Sequence, residues 1–158
     1  MGVEIERKFL VCDGAWRAEV VDTRELRQGY LSSDVDRVVR VRLVAGARAF
    51  LTVKGRRVGD RRSEFEYEVP ADDAEFMLDH LCLRPLIAKR RHLLSRGPGE
   101  WVVDEFLDDN AGLVVAEIES AEATALTDLP GWLGLEVTTD DRYANSSLQA
   151  RPYGTWGS

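Results

Sequence analysis

A chain of 158 residues, 44% hydrophobic and 31% charged, has material for one domain with a core and is too apolar to be disordered. Its net charge of −7 excludes a general nucleic-acid surface and leaves room only for a local basic pocket. No apolar run approaches the ~20 residues of a membrane span. No secretory signal precedes Gly2, and Cys12 and Cys82 lack the spacing of a metal pair. The expectation is a single domain over residues 1–158, cytoplasmic, with free thiols and no membrane or nucleic-acid partner.

In chain order, strands are predicted near 3–11, 25–32, 36–45, 48–55, 62–70, 86–96, 100–108, 113–120 and 134–139. Gly46, Gly97-Pro98-Gly99 and the run from Asp108 to Gly112 are turn signals between neighbours, and such short links join antiparallel strands. One helix is predicted over residues 71–81 after Pro70. Asp72 and Asp73 sit in its first turn, where the helix dipole favours them, and Ala74, Met77, Leu78 and Leu81 form its apolar stripe. Shorter helical pieces are predicted near 15–20, 121–126 and 145–150. No linker or repeat divides the chain.

Side chains alternate between the two faces of a strand. Glu4, Glu6 and Lys8 therefore share a face opposite Val3, Ile5 and Phe9. Arg40 and Arg42 oppose Val39, Val41 and Leu43; Thr52 and Lys54 oppose Leu51 and Val53. Glu64, Glu66 and Glu68 oppose Phe65, Tyr67 and Val69, and Lys89 and Arg91 share a face. Asp104 is flanked by Val103 and Glu105, and Glu117 and Glu119 oppose Val114, Ala116 and Ile118. One face is thus apolar and the other densely ionisable, with acidic and basic residues segregated by strand. An open sheet could show that face to water. A closed sheet would turn it inward, remove the exposed edges and require water, ions or ligand inside.

These segments, taken in order, resemble the CYTH superfamily of triphosphate tunnel metalloenzymes. The resemblance rests on Glu4-Ile5-Glu6-Arg7-Lys8, Gln28-Gly29-Tyr30-Leu31, Arg40-Val41-Arg42, Leu51-Thr52-Val53-Lys54-Gly55 and Glu64-Phe65-Glu66-Tyr67-Glu68. It continues through Lys89-Arg90-Arg91, the run from Trp101 to Phe106, Ala116-Glu117-Ile118-Glu119 and Glu136-Val137-Thr138. Ser120 departs from the aliphatic residue usual in related chains, which bears on local packing only. The resemblance implies an α+β, mostly β fold: a closed eight-stranded antiparallel tunnel barrel with a charged lumen and helices packed outside. It also implies that Glu4, Glu6, Glu117 and Glu119 bind a divalent metal, Mg²⁺ or Mn²⁺, with Glu64, Glu66 and Asp104 as further tunnel acids for a second ion or for water. Carboxylate oxygens suit such hard cations. Lys8, Arg40, Arg42, Lys54, Lys89 and Arg91 match the basic residues that grip a triphosphate, Arg by paired hydrogen bonds and Lys as a point charge. Tyr30 matches a tyrosine that partners Lys8; Lys8, Glu4, Glu6 and Tyr30 are the expected catalytic residues, with Lys8 as a candidate proton acceptor.

The implied reaction is hydrolysis of inorganic tripolyphosphate to pyrophosphate and phosphate. The alternatives are a class IV adenylyl cyclase, a thiamine triphosphatase and a non-catalytic polyphosphate-binding module. A homodimer follows by analogy alone. The basic loop over residues 55–62 reads either as a steering patch for polyphosphate or as a solvated hairpin turn. His80 and His92 lack metal-ligand spacing, and Trp16, Trp101, Trp132 and Trp156 read as packing residues.

Overall fold

A computed structural model describes residues 2–45, 48–120 and 129–157, with side chains from Ile5 onward. The Gly46 turn, the helical piece expected near 121–126 and the side chain of Glu4 lie outside the described residues. Strands are β1 (Gly2–Val11), β2 (Val20–Asp34), β3 (Arg37–Val44), β4 (Arg48–Lys54), β5 (Arg61–Val69), β6 (Ile87–Leu94), β7 (Glu100–Phe106), β8 (Val114–Ser120) and β9 (Leu133–Glu136). The helices are α1 (Ala71–His80) and α2 (Asn145–Ala150).

The hydrogen-bonded order β5-β4-β3-β2-β6-β7-β8-β1 closes on itself through β1–β5, so the expected eight-stranded antiparallel barrel is formed. The ninth strand stays outside the ring. It pairs with the far end of β1, Phe9 opposite Glu136 and Val11 opposite Leu133. One edge of β1 is thus shared between β5 and β9, and residues 6–8 lie in the gap. Buried backbone groups need partners. Here Glu6 N donates to Asp60 O at 2.9 Å, Lys8 N donates to Thr138 Oγ1 at 3.0 Å, and Val137 N donates to Lys8 O at 2.8 Å.

The outward apolar face is covered in patches. Helix α1 lays Ala74 and Leu78 on Val41 and Ala49 of β3 and β4. Its continuation brings Cys82 against Gly29, where a Cβ would stand 2.9 Å from the Cys82 Cβ and 2.7 Å from Leu86 Cδ2. Glycine is what permits that approach. The piece predicted near 15–20 is a 3₁₀ turn, Ala15–Glu19, which drives Trp16 into a cluster with Phe9, Trp101, Val103, Ala116 and Trp132. Among the described residues, no helix is long and apolar enough to cross a membrane.

Two features differ from the sequence expectation. Strand β2 begins at Val20 rather than near 25, because residues 20–25 pair with β6 from Leu94 to Arg90. Residues 21–25 are exposed, so no burial pattern marks that stretch. Helix α2 does not clad the outer wall. Its Leu148 packs with Tyr30, Val38, Ile87, Phe106 and Leu113, and Tyr30 and Val38 also line the central cavity. The lumen therefore has an apolar end, closed by α2, and a charged remainder.

Candidate active site

The lumen holds a cavity of about 280 Å³. Period-two alternation places Glu6 and Lys8 of β1 there, with Tyr30 of β2, Arg40 and Arg42 of β3 and Lys54 of β4. Glu64 and Glu66 of β5, Lys89 and Arg91 of β6, and Glu117 and Glu119 of β8 complete the wall. Asp104 is set behind it, 2% exposed, against the two β6 cations. Four further charged groups join the site, Arg57 and Arg62 from the basic loop noted in the sequence and Arg24 and Glu100, which were not singled out there. Arg24, Arg62 and Glu100 line the cavity, and Arg57 reaches Glu6 from the loop between β4 and β5.

The acidic side is crowded with like charge. One carboxylate oxygen from each of Glu6, Glu117 and Glu119 lies within 4.8 Å of the other two. Burial first, then the neighbouring Glu6 charge, raises the Glu117 carboxyl above its ordinary range. Lys8 Nζ sits 3.4 Å from Glu6 Oε1, and an Arg57 guanidinium nitrogen donates to that same oxygen at 3.1 Å. The other Arg57 nitrogen donates to the Thr138 carbonyl. Arg57 therefore fastens Glu6 to the segment that fills the gap beside β1. Three hard oxygen donors in this space fit a divalent cation.

The basic side is balanced differently. Arg91 donates two hydrogen bonds to Asp104, both 2.9 Å, and Lys89 Nζ lies 2.9 Å from Asp104 Oδ2. Burial alone would raise the Asp104 carboxyl, but Arg91 and Lys89 outweigh it and hold the group far below its ordinary value. Burial pushes Lys89 well down, with Asp104 opposing the shift. Arg91 goes up against its own burial because Asp104, Glu117 and Glu119 face it. Arg42 is pushed down to about 9 by burial and by Arg40 and Arg91, and stays protonated at neutral pH.

Arg40 carries a donor with no partner. One terminal nitrogen reaches Thr52 Oγ1 at 3.2 Å, and Thr52 Oγ1 donates to Glu66 at 3.0 Å. The buried Arg40 Nε makes no hydrogen bond among the described residues. Such an orphan costs ~1–3 kcal/mol, which an anionic oxygen placed in the cavity would recover. Tyr30 is buried, and burial raises its phenol, with Arg40, Arg42 and Lys8 pulling the other way. Its oxygen accepts from Gln28 Nε2 at 3.2 Å, and no hydrogen bond joins it directly to Lys8 among the described residues.

A closed antiparallel barrel whose lumen sets an acidic cluster against an array of Arg and Lys is the architecture of a polyanion site with a cation-binding wall. The CYTH domain family model matches residues 2–149. The chain belongs to the CYTH domain family. It is 45% identical over 153 residues to an inorganic triphosphatase of Acetivibrio thermocellus, covering 97% of each chain. It is 33% identical over 156 residues to an inorganic triphosphatase of Nitrosomonas europaea, covering 92% of this chain and 95% of the relative. A crystal structure of an inorganic triphosphatase superposes with a TM-score of 0.63 at 31% identity, covering 94% of this chain and 95% of that one.

Proposed function

We propose that this protein is a divalent-metal-dependent triphosphatase that hydrolyses inorganic tripolyphosphate to pyrophosphate and orthophosphate within the barrel. The observation that carries this reading is the meeting, in one cavity, of the Glu6, Glu117 and Glu119 oxygens with Arg40, Arg42, Lys54, Lys89 and Arg91. A simple polyanion-binding module would be weakened by those acids. The two whole-length relatives named as inorganic triphosphatases support the same reading.

Glu6, Glu117 and Glu119 would hold the ion, with Glu4 of the same strand adding to them. Mg²⁺ or Mn²⁺ there supplies charge neutralisation and orientation of phosphate and water oxygens. Arg40 and Arg42 offer paired donors to phosphate oxygens, and Lys54 and Lys89 act as point charges. Asp104 is assigned to orienting Lys89 and Arg91 rather than to metal binding. Attack of water on a terminal phosphorus forms a new P–O bond as the bond to the bridging oxygen breaks. Pyrophosphate leaves with that oxygen; one proton of the attacking water stays on the orthophosphate and the other passes to solvent. The fixed cations stabilise charge on the transferring group and on the leaving pyrophosphate without reorganising. Lys8 stands at the border of the two halves and serves first as a phosphate ligand; as proton acceptor it would require Lys8→Met to alter the pH–rate profile.

The test is product analysis after incubation with tripolyphosphate or ATP, separately, with Mg²⁺ and with Mn²⁺. Pyrophosphate and orthophosphate from tripolyphosphate are expected. Cyclic AMP from ATP would make the protein a cyclase, and retained binding without turnover would make it a binding module.

A further inference from the structure

The basic wall is not built by barrel strands alone. Asn145, the first residue of α2, lines the cavity with Ala144 and Ser146. Its carbonyl Oδ1 accepts from Lys89 Nζ at 2.9 Å and from Gln28 Nε2 at 3.1 Å. Gln28 is fully buried, and its own Oε1 accepts from Arg42 Nε at 3.0 Å.

The polarity of this chain is forced. Lys89 and Arg42 can only donate. Arg42 therefore claims the oxygen end of Gln28, which turns the Gln28 amide nitrogen toward Tyr30 and Asn145. Lys89 likewise claims the oxygen end of Asn145. One neutral oxygen, from a helix and not from a barrel strand, thus ties β6, through Lys89, to β2 and β3, through Gln28 and Arg42. Without it, Lys89 would keep Asp104 as its charged partner at 2.9 Å and be drawn toward that carboxylate, away from the lumen. An Asp in the same place would hold Lys89 but cancel its charge. A neutral acceptor orients the ammonium and leaves its charge for a ligand.

We propose that Asn145 is a positioning residue for triphosphate binding, acting through Lys89 and, by way of Gln28, through Arg42. This inference rests on the triphosphatase reading of the same cavity. Its consequence is that the C-terminal segment completes the anion-binding array.

The experiment is calorimetric titration of tripolyphosphate into the full-length, metal-free protein, where turnover does not interfere. It uses wild type, Asn145→Ala, Lys89→Ala and the double variant, each checked by thermal melting. Asn145→Ala is expected to weaken binding about tenfold, the scale of one hydrogen bond to a charged group. In the Lys89→Ala background the same change is expected to cost less than about twofold, since coupled residues are not additive. In turnover assays the loss falls on KM more than on kcat. Asn145→Ser, whose hydroxyl is too short to reach both Lys89 and Gln28, gives the same reading should the alanine variant not fold. Wild-type affinity in the Asn145 variants, or an equal loss in both backgrounds, overturns the inference while the triphosphatase reading stands. Failure of wild type to bind tripolyphosphate overturns the inference, and failure to hydrolyse it with Mg²⁺ or Mn²⁺ overturns both.

Discussion

The two charged clusters of this lumen are built from the same materials and come to opposite ends. Around Asp104, two cations surround one carboxylate with hydrogen bonds at 2.9 Å, and the carboxyl is held far below its ordinary value. Around Glu117, carboxylates crowd one another, and burial with the Glu6 charge pushes the group up. In the first cluster both oxygens of the single carboxylate meet cationic donors. The second is eased by Lys8 and Arg57 at Glu6 and by Arg91, 3.9 Å from Glu117, yet one oxygen from each of its three carboxylates still lies within 4.8 Å of the others. A divalent cation joining these oxygens would offset their mutual repulsion, which is the role proposed for the cluster. The contrast lies in the sign of the nearest neighbours: Asp104 meets cations, while Glu117 meets another carboxylate.

Breaking the acidic cluster should cost most. Glu117→Gln is expected to lower tripolyphosphate turnover about 10³-fold with little change in melting temperature, on the scale of losing a preorganised charge-stabilising group. Chelation of divalent ions from wild type should abolish turnover and re-addition restore it.

Breaking the scaffold should instead cost stability. Asp104→Asn leaves buried Lys89 without its carboxylate partner and Arg91 with only Glu117 and Glu119 facing it, a loss of about 3–5 kcal/mol. Thermal melting reads it as a fall of roughly 10 °C for a domain of this size. Arg40→Lys keeps the charge but removes Nε and the planar fork. A rise in KM for tripolyphosphate of about tenfold is expected, the worth of one charged hydrogen bond.

The two clusters also give opposite pH signatures in the metal-free protein. Asp104 is depressed in the fold, so its contribution is present above its ordinary value of 3.8 and lost as pH falls toward its folded value. Glu117 is raised, so its contribution is full below its ordinary value of 4.5 and lost as pH rises through its folded value. Denaturant midpoints followed across pH should therefore decline above pH 4.5 in wild type and decline less in Glu117→Gln. The smallest effect is expected at Arg57. Its removal frees Glu6 from Thr138 and should weaken Mn²⁺ binding about threefold, below the ~10–100-fold typical when a ligand loses its supporting group.

Much of this lumen was legible in the sequence because strands repeat every two residues. Glu6 and Lys8, Arg40 and Arg42, and Glu117 and Glu119 each sit two apart, so one alternation assigns all of them to one face. The length of β2 was not legible, since residues 21–25 are all exposed, Val21 included, and show no alternation, and their pairing with β6 is set by backbone hydrogen bonds. Asp104 read as one more tunnel acid; only the cross-strand register, Arg91 opposite Asp104, shows that cations enclose it. Arg57 lay in a run that looks solvated, and its bond to Glu6 spans 51 residues of sequence. Asn145 meets Gln28 across 117 residues, from a short helix with no pattern linking it to the barrel. Neither position follows from local periodicity.

The claim that the acidic cluster is a metal site facing a triphosphate grip is tested most directly by titrating Mn²⁺ into the metal-free protein and following the free ion by electron paramagnetic resonance. The account predicts saturable binding in wild type that is lost in Glu117→Gln and kept in Asp104→Asn. Binding that survives Glu117→Gln and disappears with Asp104→Asn would contradict it.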